Sequence, residues 1–167
     1  MECMEHSRHP RHLRPHDYCT IGAVHVALGA DHAGFELKNT LKRVLDELGV
    51  TYDDLGTNAA DSVDYPDYAQ AVAKGVVDGR FDRGILVCGS GIGMSIAANK
   101  VHGIRAAVVT EAESARLSRA HNDANVIALG ERMVSEEMAI RIVDLWLTTP
   151  FEGGRHVSRN QKLDTLP

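Results

Sequence analysis

Apolar positions set a regular rhythm from residue 21 onward. VHVALG (Val24–Gly29) has the character of a short buried strand, and the segment after it lines Leu37, Leu41, Val44, Leu45 and Leu48 along one helical face before Gly49. VTYDDLG predicts a second strand. Asp64-Tyr65-Pro66-Asp67 starts a helix, with proline in the first turn and acids at the positive dipole end. That helix continues through Ala69, Val72, Ala73, Val76 and Val77 to Gly79. RGILVCG (Arg83–Gly89) is a third strand, apolar without alternation, as expected where both sheet faces are covered. A glycine-rich turn and a helix over Met94–Lys100 follow, then a strand at IRAAVV (Ile104–Val109), a helix over Glu111–Ala120 and a strand at NVIALG (Asn125–Gly130). Ser135 caps a helix that runs to about Leu147 and stops at Thr148-Thr149-Pro150. FEGGRHVSRNQKLDTLP forms a turn and one short closing helix.

Five strands alternating with helices predict an α/β chain: a three-layer α/β/α sandwich on a five-stranded parallel, Rossmann-like sheet with right-handed crossovers. Analogy with other doubly wound sheets suggests the strand order 2-1-3-4-5. The domain covers residues 21–167. Residues 1–20 lack apolar periodicity and are expected to be a disordered leader. Its histidines (His6, His9, His12, His16) have spacings that would suit one helical face, but Pro10 and Pro15 interrupt any such helix, so no metal site is expected.

Composition narrows the function. The 167 residues carry a net charge of −5, and the three arginines and three acids of the leader cancel, so that charge belongs to the domain. A mildly acidic chain lacks the footprint of a nucleic-acid binder, and no apolar run approaches the roughly 20 residues that span a bilayer. No apolar signal segment opens the chain. The three cysteines, two of them in the leader, do not form a disulfide framework, which favours a reducing, cytoplasmic home.

Ligands bind beyond the carboxyl ends of strands in such a sheet. Those ends carry Gly29-Ala30-Asp31-His32, Cys88-Gly89-Ser90-Gly91-Ile92-Gly93 and Gly130-Glu131-Arg132. The CGSGIGMS loop lacks the Lys of a P-loop, the glycine spacing of a dinucleotide fingerprint and the arginine of a phosphatase loop. What remains is a row of backbone N–H groups at a helix N-terminus, suited to an anion or a developing oxyanion and favourable to a thiolate. By itself the loop also fits a small buried cysteine beside a tight turn. His121-Asn122-Asp123 reads as a turn before strand five, and Arg155 and Arg159 share one face of the closing helix.

Taken in order, GADHAGFELK, DYPDYA, ILVCGSGIGMSIAANK, GIRAA, HNDANVIALG and FEGGRH resemble the ribose-5-phosphate isomerase B family over about residues 24–162. That resemblance implies an isomerase that interconverts aldose and ketose phosphates, ribose 5-phosphate and ribulose 5-phosphate in the pentose phosphate pathway, through a cis-enediolate without metal or other cofactor. It makes Cys88 the base, with Ser90 shuttling protons where many members carry threonine. The amides of Gly89, Gly91, Ile92 and Gly93 would hold the enediolate. His121 would open the sugar ring with Asp31 assisting, Asn122 would bind hydroxyls and Tyr65 would line the pocket. His32, Arg132, Arg155 and Arg159 would take the phosphate. A subgroup with a glutamate base is excluded, because Met94 stands at that position. The implied partner is a second copy, in a homodimer or dimer of dimers with shared active sites. The same chemistry on allose 6-phosphate, galactose 6-phosphate or a tetrose phosphate is the alternative. A non-catalytic metabolite-binding module is the rival class, against which Cys88, His121 and the arginines together argue.

Overall fold

The computed structural model describes residues 23–166; the leader, with its histidines, Cys3 and Cys19, lies outside them. Five strands, β1 (His25–Ala30), β2 (Thr51–Asp54), β3 (Arg83–Cys88), β4 (Ala106–Val108) and β5 (Val126–Gly130), form one parallel sheet. Six helices flank it: α1 (Phe35–Glu47), α2 (Tyr65–Val77), α3 (Ile92–Ala98), α4 (Ala112–Ala120), α5 (Glu136–Thr148) and α6 (Arg155–Asp164). The three-layer sandwich is therefore as the sequence predicts.

Side chains alternate faces along a strand, so each central strand feeds two cores. Val26, Leu28, Ile85, Val87, Ile127 and Leu129 pack on one face with α1 and α5, around Trp146. Ala27, Leu86, Cys88 and Ala128 pack on the other, against α2 and α3. That second face is built from small residues. A Cβ at Gly84 would come within 2.5 Å of Val72, and one at Gly29 within 2.8 Å. Their absence lets α2 lie close to the sheet and brings its first residue, Tyr65, to the strand ends.

The strand order is β2-β1-β3-β5-β4, which corrects the expected 2-1-3-4-5. Position within the sheet follows burial. All five residues of β5 are buried, as a central strand needs, whereas β4 is three residues long and only partly covered. Its open edge is blunted by Asn99, whose amide donates to the Ala106 carbonyl (2.9 Å) and accepts from the Ala106 N–H (2.9 Å), in place of a further strand. Helix α3 begins at Ile92, two residues before the expected Met94. No helix among the described residues is long and apolar enough to cross a membrane.

Arg83 ties the sheet to α5. Its Nη1 donates to the carbonyls of Trp146 (2.9 Å) and Leu147 (3.0 Å), and its guanidinium lies over the Trp146 ring. Burial pushes its pKa down to about 10, so it still carries its charge at neutral pH. Arg83→Leu strands two helix-end carbonyls at about 1–3 kcal/mol each. The expected result in a melting scan is a midpoint lower by roughly 4–24 °C, with activity per folded molecule unchanged.

Candidate active site

Cys88 is the last residue of β3, and its side chain turns toward α3. Gly91 follows in the left-handed region (φ 79°), which only glycine adopts without strain. The turn aims the Gly91 N–H at the Cys88 Sγ, 3.1 Å away. One residue on, the Ile92 N–H donates to the Ser90 Oγ at 3.3 Å. Two amides of the glycine loop are thus already committed to the thiol and the hydroxyl, where the sequence suggested that the whole row would face a ligand. Ile92 points outward, and Gly91 is packed against the backbone of Ala128 and Leu129.

A cavity of about 360 Å³ opens above this turn, lined by Asp31, His32, Tyr65, Cys88, Gly89, Ser90, Gly93, Arg132 and Met133. Asp31 follows β1, buried, and its Oδ1 accepts from the N–H groups of Ala33 (3.0 Å) and Gly34 (3.1 Å). The Nδ1 of His32 accepts from the Val63 N–H at 3.3 Å. An accepting Nδ1 leaves the ring proton on Nε2, which is therefore the donor. Tyr65 closes one wall: a Cβ at Gly93 would come within 2.7 Å of its ring. Arg132 lies over Gly89, where a Cβ would meet its Nη1 at 3.2 Å, and its backbone N–H donates to the Gly89 carbonyl.

Sequence reasoning missed Lys38. It is fully buried on α1, and its Nζ donates to Asp54 Oδ1 and to the Thr57 carbonyl, both at 2.6 Å. Burial pushes the Asp54 carboxyl up, but the bonds from Lys38, Lys42 and the Gly56 N–H outweigh it and hold the group below its ordinary value. The pair anchors the start of the segment that reaches His32 through Val63. A charged residue inside an amphipathic helix was the available signal.

His121, Asn122, Arg155 and Arg159 do not join this cavity. Cys88 pairs with Gly130 at the carboxyl end of β5, whereas His121 caps α4 and leads into its amino end at Val126. At about 3.3 Å per residue, β5 alone puts the two groups on the order of 15 Å apart. At that other end, His121 stacks on His156 with ring centroids 4.2 Å apart. Arg155 and Arg159 flank His156 on α6. One chain therefore holds two half-constellations at opposite ends of one sheet: a thiol, a carboxylate, an imidazole and an arginine at one, and imidazoles with two arginines at the other.

A family model described as Ribose/Galactose Isomerase matches residues 26–163. The ribose-5-phosphate isomerase B of Escherichia coli is 50% identical over 141 residues, covering 84% of this chain and 95% of that protein. The D-erythrulose-4-phosphate isomerase of Pectobacterium atrosepticum is 45% identical over 143 residues, 83% of this chain and 91% of its own. Among solved structures, the ribose-5-phosphate isomerase B of Clostridium thermocellum superposes with a TM-score of 0.83 at 51% identity, covering 84% of this chain and 95% of that one.

Proposed function

The chain belongs to the ribose/galactose isomerase family, and on that premise we propose that it interconverts ribose 5-phosphate and ribulose 5-phosphate in a reducing, cytoplasmic setting, with Cys88 as the base. The observation that carries the reading is the Cys88 Sγ at the cavity, accepting the Gly91 N–H at 3.1 Å.

In the ring form, Asp31 takes the O1 proton and His121 delivers one to the ring oxygen as the C1–O4 bond breaks, which frees the aldehyde. The Cys88 thiolate then removes the proton from C2. The C–H electron pair becomes the C1=C2 bond, and the carbonyl pair moves onto O1. Amides of Gly89, Ser90 and Gly93 face that charge, since those of Gly91 and Ile92 are committed to Sγ and Oγ. The thiol returns its proton to C1, and the Ser90 hydroxyl carries the O2 proton to O1, leaving the ketone at C2. His32, Arg132, Arg155 and Arg159 bind the phosphate, to which forked guanidinium donors are suited. Asn122 binds sugar hydroxyls.

Since one chain places His121, Asn122, Arg155 and Arg159 at the far end of the sheet, a second copy supplies them. An apolar surface supports such a neighbour: on α3, Ile92 is 54% and Ile96 57% exposed, and Val108 on the edge strand is 38% exposed. A second reading keeps the chemistry and changes the sugar, favoured by the likeness to the erythrulose-phosphate enzyme.

Cys88→Ala is expected to lower kcat by about 10²–10⁴-fold, the usual worth of a general base, with the melting temperature close to the parent's. Turnover within a few-fold of the parent would sink the base assignment. Co-expressing Cys88→Ala and His121→Asn chains should restore about a quarter of parental activity, because half of random pairs carry one intact composite site; additive residual rates would refute sharing. Side by side, ribose 5-phosphate, allose 6-phosphate, galactose 6-phosphate and erythrose 4-phosphate should rank with ribose 5-phosphate highest in kcat/KM, and another leader would install the second reading.

A further inference from the structure

The far end of the sheet holds a histidine, His156, that the proposed chemistry does not use. His121 and His156 stack almost parallel, with centroids 4.2 Å apart and planes 11° from each other. His121 is half-exposed at the end of α4, whereas His156 is buried in the first turn of α6. Three further contacts fix the His121 end. Glu152 Oε2 lies 3.7 Å from its Nε2, the Asn160 amide donates to its carbonyl at 3.2 Å, and the Glu152 N–H donates to the Ala120 carbonyl at 2.9 Å.

The donor atoms of His121, Glu152 and His156 lie within 4.8 Å of one another, close enough to suggest a cation site. Ring geometry argues otherwise. Imidazole lone pairs lie in the ring plane, and two nearly parallel planes about one ring thickness apart do not point them at a common ion. The cluster is a stack.

The charges around it are Glu113 and Arg116 on α4, Glu152 in the loop, and Arg155 and Arg159 on α6. Burial, then His121 and the two α6 arginines, push His156 below its ordinary value, and Glu152 only partly offsets them. Its ring is therefore neutral at pH 7. A neutral flat ring beside a second imidazole is a support against which that imidazole can carry or lose a proton without like-charge repulsion.

We infer that His156 is a positioning residue for His121: its buried ring, with Glu152 at Nε2, fixes the plane and rotation of the His121 imidazole for proton delivery to the sugar ring oxygen. The inference rests on the proposed role of His121. A proton donor free to rotate spends most of its time out of line, and misplacement by about an ångström costs up to roughly a hundredfold.

The test uses the full chain in its native assembly, with ribose 5-phosphate as substrate and kcat, KM, pH profile and melting temperature read for His156→Ala, His156→Phe and His121→Asn. His156→Ala removes the wall and is expected to lower kcat by about tenfold to a hundredfold with KM within a few-fold. His156→Phe restores a flat neutral ring and should recover most of that loss with the parental pH profile. In the His121→Asn background, His156→Ala should add little, since both act on one step. Full additivity there, or a loss confined to KM, would mean that His156 serves the fold or the neighbouring arginines and would overturn the inference. Loss of a limb of the pH profile in His156→Phe would do so too, by making His156 the proton carrier. If instead His121→Asn turns over at the parental rate, the role of His121 itself falls, and this inference with it.

Discussion

Because β1, β3 and β5 are hydrogen-bonded in parallel and in register, their carboxyl ends reach one rim of the sheet together. Everything chemical in this chain is arranged by that constraint. Asp31, Cys88 and Arg132 stand at or just beyond the ends of three different strands, separated by tens of residues, yet they line one cavity. The same constraint sends whatever precedes a strand to the opposite rim. His121 precedes β5, and α5 carries the chain back along the sheet to α6, so His121, Asn122, Arg155 and Arg159 sit there.

The two rims differ in how they are made. At the carboxyl rim the glycine loop supplies backbone amides, those of Gly91 and Ile92 directed at the Cys88 Sγ and the Ser90 Oγ, beside the side chains of Asp31, His32, Tyr65 and Arg132. The opposite rim is made of long side chains stacked and paired across sequence-distant elements, with His121 and His156 at its centre. Backbone dipoles suit a charge that appears and vanishes at one oxygen, because they need not move. Guanidinium groups suit a permanent dianion, because their own charge is permanent.

Much of this was legible in the chain. Runs such as RGILVC and VIALG are long, apolar and uninterrupted, and both strands formed as expected within a residue or two. Strand order was not legible, because it depends on which of two adjacent strands better tolerates burial on both sides. Comparing VIALG with the three residues of β4 supplies that only once the lengths are known. Of the residues singled out in the sequence, Asp31, His32, Tyr65, Cys88 and Arg132 come together in one cavity at the carboxyl rim. Other features rest on contacts between residues far apart in sequence, which periodicity does not encode. The His121–His156 stack spans two helices, the Asn99 amide closes a strand edge seven residues away, and Lys38 reaches Asp54 across β2.

One small contact sets the mechanical character of the whole rim. Gly34, in the turn after β1, lies so close to β3 that a Cβ there would come within 2.5 Å of the Val87 carbonyl carbon and 2.8 Å of the Cys88 nitrogen. The Asp31 N–H also donates to the Val87 carbonyl at 3.2 Å. The turn bearing the carboxylate and the strand bearing the thiol are therefore a single rigid body. Such a floor is preorganised: a ligand entering the cavity would not have to order it, so little conformational entropy would be lost in presenting Asp31 and Cys88 together.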